Sequence, residues 1–527
     1  MNRIDEKKLN ELFPPILFLV LGCFISIFFF ALYGDRLITS DTASDLVLAR
    51  FLNEEGKIVS PNWYYSTELL LIDTQLFFKP ALLLFPNDWH MARLTATIAL
   101  TAVYLFSVLL VTKAADIGHH GIWAAALCSF PIGLYYIQTV SFQVFYIPNI
   151  FFLLITLSLL LFAIHYPNRT ILFSILLAIL SFITGLRTMR TIFIFNMPVL
   201  ATACILFFSN RFIKKQNKNA SMSGRDKSLI IYSVIMFAAA SLGYLFNKLV
   251  IAKSYKYVTP DVSLWSEFSS LKMIHTFDDL IASFGWHDGA PILSIEGISS
   301  CFGLMLGIMI IASAIIMLIK FSDLLNYYEH FFVLYFVTAV IICDFIFAHN
   351  NQYTPRYWVD LMPVGYLIVS IAIKYIKLNI PSLQKIKYDM LCGVFILFTS
   401  ISWIVMPYGS QGNGWSLLPV ISWINEQGYK QGIATFWQSN ITTELTDGKI
   451  EMWTVIDFEQ MESFQWLQET SHDVLPDDNV FILMTKDEYD HCDSGLNNYI
   501  VYQTPDYVVL DFSDEPDYRS TVTNAYR

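Results

Sequence analysis

Asp41 stands in Ser40-Asp41-Thr42-Ala43-Ser44-Asp45, a few residues beyond the first apolar run long enough to cross a bilayer. A carboxylate there is placed where lipid headgroups begin. Ser40, Asp41 and Thr42 are also good N-cap types, so capping is the competing role for Asp41. Asp45 lies one helical turn later on the same face, where it can second Asp41 or join an ion pair. Glu68 follows Pro61-Asn62-Trp63-Tyr64-Tyr65-Ser66-Thr67, and Asp73 comes soon after. Functional acids gather in clefts, which makes Glu68 a candidate beside Asp41.

The basic counterparts are arginines at helix ends. Arg187 and Arg190 lie in Thr184-Gly185-Leu186-Arg187-Thr188-Met189-Arg190, and Arg356 lies in Tyr353-Thr354-Pro355-Arg356-Tyr357-Trp358. A guanidinium fork matches phosphate oxygens two at a time. The alternative is an arginine that snorkels to lipid phosphates. Asp344 and Asp360 fall inside apolar segments near their ends. An ionisable group in a span is costly and is a functional candidate by default, although water access near the surface would also account for both. His90 and His349 have no second histidine at ligand spacing.

These residues hang on a membrane scaffold. Apolar residues make up 55% of the chain and charged residues only 15%, against about 25% charged in soluble proteins. Eleven apolar runs approach or reach bilayer-crossing length: 16–33, 94–112, 121–137, 144–164, 171–186, 191–208, 229–250, 297–319, 331–348, 357–373 and 390–407. The first has no small-residue cleavage site after it and reads as a retained signal-anchor. Basic residues cluster at the N-terminus and in loops 209–228 and 374–389, which marks that side as cytoplasmic. Eleven crossings then put the tail outside, with loops 34–93 and 251–296.

The loop 34–93 is far longer than an ordinary connection. Asp45–Leu52 continues as an amphipathic helix that stops before Gly56 and can lie in the interface plane. Trp63, Tyr64 and Tyr65 favour a return to the bilayer surface.

The chain is thus expected to comprise a transmembrane module, 1–407, and an acidic extracytoplasmic domain, 408–527. The tail carries twenty acids against five bases, a net of −15. That acidity speaks to solubility. Within it 432–437, 480–484, 499–502 and 507–510 read as strands, and Leu417–Glu426 as a helix with Ser416 as N-cap and Gly428 past its end. A small α/β or α+β domain follows. Six of seven cysteines lie in apolar segments, and no spacing suggests zinc. The sequons at Asn168 and Asn219 face inward on this topology; Asn440 faces out.

This layout resembles the GT-C superfamily of integral-membrane glycosyltransferases, which use polyprenyl-phosphate sugars and include protein O-mannosyltransferases and aminoarabinose transferases. The resemblance covers the whole chain: the cytoplasmic N-terminus, the helix number, two long outer loops and an outer C-terminal domain. Asp41 matches the superfamily's early catalytic aspartate by position. The acid that often follows directly is Thr42 here, so Glu68 or Asp45 would have to replace it. Arg356-Tyr357 is similar to an Arg-Tyr element of the mannosyltransferase-like branch.

The resemblance implies sugar transfer, with inversion, to a hydroxyl of a cell-wall polymer, glycolipid or protein. Asp41 is then the base, and Glu68 orients the acceptor or a metal. Arg187, Arg190 and Arg356 hold the donor phosphate. A divalent cation, Mg or Mn, is possible in such enzymes. The expected location is a bacterial plasma membrane, and nucleic acid is not among the expected partners. The competing class is a transporter, or a flippase or polymerase of lipid-linked glycans. Transporters favour midplane polar residues and internal repeats; the acids and arginines here gather at helix ends.

Overall fold

The computed structural model describes residues 6–216, 224–258, 265–267, 269–379, 388–405, 413–477 and 479–526. The sequon at Asn219 and the basic residues Arg3, Lys218, Lys385 and Lys387 lie outside them. The chain divides into two compact units. A membrane unit comprises residues 1–28, 100–248 and 261–407; a polar unit comprises 29–99, 249–260 and 408–527. The expected division at 407/408 follows chain order, whereas the division in space joins the first polar loop to the tail.

Among the described residues, nine helices are long and apolar enough to cross a membrane, and they correspond to nine of the eleven expected segments. The chain is an integral membrane protein. Its apolar side chains face outward in rows: Ile171, Ile175 and Ile179 recur every four residues and are all exposed, the arrangement of a helix side turned to lipid. Inside, hydroxyls return their hydrogen bonds to the helix, as Ser158 Oγ does to the Leu154 carbonyl at 2.8 Å.

The expected span 121–137 is corrected. It is a pair of helices, Gly118–Ser129 and Leu134–Ser141, bent by 84°. Pro131 in the break supplies no N–H for a continuing helix. Gly133 has φ +79°, and a side chain there would meet the Gly285 backbone at 3.0 Å. The last segment, Asp389–Val405, is a shorter apolar helix. Among the described residues the count stays odd when this helix and the bent pair both cross, giving eleven, or when neither does, giving nine.

The helices Thr170–Arg187 and Gly224–Phe246 pack with backbones in contact. A Cβ on Gly185 would fall 1.9 Å from the Ala240 carbonyl oxygen, and one on Gly243 would fall 2.1 Å from that of Phe182. Small residues allow this approach where no hydrophobic drive separates helix from lipid.

The polar unit begins in helix α1 (Glu6–Leu37) and continues as α2 (Ser40–Glu54), α3 (Gln75–Leu84) and the start of α4 (Trp89–Ala114). Strand β1 (Tyr64–Tyr65) pairs in parallel with β2 (Lys256–Tyr257). The tail forms a five-stranded mixed sheet from β3 (Gln431–Thr435), β4 (Glu451–Val455), β5 (Phe481–Thr485), β6 (Ile500–Gln503) and β7 (Tyr507–Asp511), in the order β4-β3-β5-β7-β6.

Alternate residues feed two cores, one on each face of this sheet. Ile433, Ile482 and Val508 join Tyr518 and Val522 on one face. Ala434, Leu483 and Val509 join Leu417, Ile424, Ile441 and also Ile38 and Ala43 on the other. The first loop is therefore part of the sheet's core.

Four strands lie where the sequence places them, while β4 was not read. Phe436-Trp437 opens a helix, Phe436–Leu445, instead of extending β3. The expected helix 417–426 lies inside Asn413–Gln427, with Ser416 within it and Gly428 following at φ +79°.

Two interfacial expectations are corrected. In α2 only Glu54 is exposed, because α2 packs inside the polar unit. Trp63, Tyr64 and Tyr65 are buried, held by β2 and by the Trp63 bridge to Glu469. Exposed apolar side chains lie on α3, at Leu76, Leu83 and Leu84.

Gly185→Val places a branched side chain against the Ala240 backbone. Thermal unfolding in detergent should show a lower melting temperature, in line with the roughly 1–3 kcal/mol of overpacking. An unchanged melt would mean the two helices separate at no cost.

Candidate functional site

The carboxylates are set by the start of α2. Thr39, not Asp41, is its N-cap, and the Thr39 N–H donates to Thr42 Oγ1 at 3.2 Å. Asp41 lies in the first turn, where the helix dipole favours negative charge. Ser44 Oγ donates to the Asp41 carbonyl at 2.6 Å, and Ser40 Oγ donates to the Phe436 carbonyl.

Arg93 fixes this turn from α4. It is 2% exposed and grips Glu444, 3% exposed, with both arms of its fork, Nη2 reaching Oε2 at 2.6 Å. The same Nη2 donates to the Thr42 carbonyl at 2.8 Å, and the guanidinium lies over the Phe78 ring, 5.0 Å from its centroid.

Asp45 completes the group. Its Oδ2 accepts from Thr74 Oγ1 at 3.0 Å. The neighbouring Asp73 is buried, and its Oδ1 accepts the Thr74 N–H at 2.8 Å. Burial first, then the charge of Asp73 and more weakly that of Asp41, pushes the Asp45 carboxyl up to about 7, against the Thr74 bond and Arg93. Carboxylates that raise one another's proton affinity can hold a proton near neutrality. Asp73 thus joins Asp41 and Asp45. Glu68 is half-buried just before the buried Leu69.

In the membrane unit, Arg187, Arg190 and Arg356 come to one aromatic-lined group. Arg187, 1% exposed, ends the helix Thr170–Arg187; its Nη1 donates to Asn149 Oδ1 at 2.7 Å, and it lies over Phe152. Arg190 lies over Tyr146, 4.7 Å from the ring centroid, and over Tyr357 at 4.1 Å. Arg356 lies over Phe145 at 5.6 Å. The turn is set by hydroxyls: the Arg190 N–H donates to Thr188 Oγ1, and Thr191 Oγ1 to the Thr184 and Thr188 carbonyls.

Asp360, 4% exposed, is within electrostatic reach of Arg190 and Arg187. Tyr146 is within reach of Arg190, Arg356 and Asp360. Arg187 and Arg190 lie within reach of Asp360 and Arg356 within reach of Tyr146, so cations outnumber the acid, a surround suited to an anion.

Asp344 sits elsewhere in this unit. It is buried and accepts from Thr276 Oγ1 at 2.5 Å. Sequence reasoning missed the Arg93–Glu444 pair and the aromatic partners Tyr146 and Tyr357. An arginine among the first residues of a span was the only available signal for the first.

No protein-family model and no curated protein matches the chain. Among solved structures, ArnT from Cupriavidus metallidurans, crystallised with undecaprenyl phosphate, aligns with 94% of this chain and 97% of its own, with a TM-score of 0.57 and 11% identity. The chain has an ArnT-like fold. ArnT is a GT-C glycosyltransferase, so the fold implied by the resemblance is the one observed. At this identity the ArnT likeness speaks for the fold, and the roles of individual residues rest on their own geometry.

The Asp45 carboxyl binds its proton more tightly in the folded protein than in the unfolded chain. Its favourable contribution is therefore present in full at acid pH and lost as pH rises through about 7. Relative to Asp45→Asn, the wild-type melting temperature should fall between about pH 4 and about pH 7 and then run parallel. Curves parallel over the whole range would contradict the raised proton affinity.

Proposed function

We propose that this protein transfers a sugar from a polyprenyl-phosphate donor to an acceptor hydroxyl, with inversion at the anomeric carbon. The observation that carries this reading is the gathering of Arg187, Arg190 and Arg356 on the faces of Phe152, Tyr146, Tyr357 and Phe145, with Asp360 among them. The bound lipid phosphate of ArnT supports a polyprenyl-linked partner.

In this reading Arg187, Arg190 and Arg356 bind the donor phosphate and Asp41 serves as the base. The acceptor O–H gives its proton to Asp41 as its oxygen attacks the anomeric carbon. The bond from that carbon to the phosphate oxygen breaks, and its electron pair leaves on the phosphate. The three guanidinium groups stabilise the charge that develops there. A base in position contributes about 10²–10⁴-fold.

Asp45, with a proton affinity near neutrality, is suited to receive or return a proton beside Asp41. Glu68 is assigned to orienting the acceptor or a divalent ion, Mg or Mn. The acceptor class is a cell-wall polymer, glycolipid or protein hydroxyl.

The basic loops support a cytoplasmic N-terminus, and with it a polar unit on the extracytoplasmic side of a bacterial plasma membrane. A donor dissolved in the bilayer gives the enzyme reason to work at its surface.

Purified protein should transfer radiolabel from polyprenyl-phosphate sugars to membrane acceptors. Asp41→Asn should lower the rate at least 100-fold while leaving the melting temperature near wild type. Undiminished transfer by the folded variant would remove Asp41 from the role of base. Absence of transfer from any such donor, with substrate flux into liposomes, would make the protein a transporter.

A further inference from the structure

A second constellation lies in the polar unit, away from the residues assigned to transfer. Glu451 opens β4, while Glu469 and His472 lie in and beside the short 3₁₀ turn Thr470–Asp473. One ligand-capable atom from each lies within 4.8 Å of the other two. They line a cleft that also includes Trp63, Arg50 and Val47. At about 100° per residue, Val47 and Arg50 lie on a different face of α2 from Asp41 and Asp45.

Two buried nitrogens in these walls lack partners among the described residues. His472 is 6% exposed; its Nε2 meets Glu451 Oε1 at 2.9 Å, but its Nδ1 meets no partner. Trp63 is fully buried and its indole N–H has no acceptor. An ion shared with Glu451 would take the His472 nitrogen that faces it, replacing the Nε2–Oε1 contact with a bond from each group to the metal. The ring is further clamped by Trp453, stacked at 4.5 Å.

We propose that Glu451, Glu469 and His472 form a site for a first-row divalent cation, zinc foremost, that fastens the first polar loop to the sheet of the tail. One imidazole and two carboxylates make a donor set that zinc accepts, with a fourth position left for water. Ligand atoms about 3.4 Å apart suit a tetrahedral ion, so a modest inward movement closes the site. The oxygen of the bound water offers the acceptor that the Trp63 N–H lacks.

The ion would act through positions already linked to the loop. Trp63 bridges to Glu469, the Tyr64 N–H donates to the Gln468 carbonyl at 2.8 Å, and the Thr470 N–H donates to the Asn62 carbonyl at 2.9 Å. The inference is independent of which sugar, if any, the protein transfers.

The full-length protein, freed of any affinity tag and stripped with chelator, is titrated with Zn²⁺ and separately with Mg²⁺. Calorimetry and melting temperature are the readouts. Expected are one saturable Zn²⁺ site, a melt raised by several degrees, and no comparable response to Mg²⁺. Glu469→Gln and His472→Gln should each weaken Zn²⁺ binding at least tenfold, while Glu462→Gln, an exposed acid nearby, should not. If His472→Gln fails to fold, the half-exposed Glu469→Gln decides. Wild-type protein that ignores Zn²⁺, an equal response to Mg²⁺, or Glu469→Gln that binds like wild type would each overturn the site.

Discussion

The polar unit depends on one buried fork. Arg93 and Glu444 are 351 residues apart in sequence and almost fully enclosed. Burying either charge alone would cost several kcal/mol, and losing one partner of such a pair costs about 3–5 kcal/mol. The pair therefore persists only if α4, the helix Phe436–Leu445 and α2 arrive together. Arg93 also holds the carbonyl of Thr42, the residue next to Asp41. The position of the proposed base is thus fixed by an interaction that spans most of the chain, not by the loop that carries it.

The same constraint makes the tail a partner of the first loop. Ile38 and Ala43 enter the sheet's core beside Leu417 and Ile424, and across loop and tail the Tyr64 N–H donates to the Gln468 carbonyl and the Thr470 N–H to the Asn62 carbonyl. A domain that packs α2 into its own core acts as a support for that helix. The membrane unit uses a different device: aromatic rings of Phe145, Tyr146 and Tyr357 lie against guanidinium groups that lipid would otherwise leave without solvation.

Much of the scaffold was legible in the sequence because a bilayer imposes a length and a composition on each crossing. The bend at Phe130–Gly133 was not, because the apolar run continues through Pro131 without a change in hydropathy. Trp63-Tyr64-Tyr65 was misread for a related reason: amphipathic aromatics suit a membrane surface and a buried strand equally, and only the distant partners Lys256 and Glu469 choose between them. Three arginines at short turns were readable as a set. Their ring partners, and Asp73 beside Asp45, come from tertiary contacts that no local spacing encodes. Thr42 in place of a second acid remains a real departure; in space Asp45 and Asp73 supply the carboxylates that the neighbouring position does not.

The central claim is that the arginine group binds the phosphate of a polyprenyl lipid. Its most direct test is equilibrium binding of undecaprenyl phosphate to the purified protein, with undecaprenol as the uncharged control and Arg190→Ala and Arg356→Ala as variants. The account predicts saturable binding of the phosphate, much weaker binding of the alcohol, and at least tenfold loss in each variant that still melts as wild type does. Equal affinity for the alcohol and the phosphate, or unchanged phosphate binding in the folded variants, would contradict it.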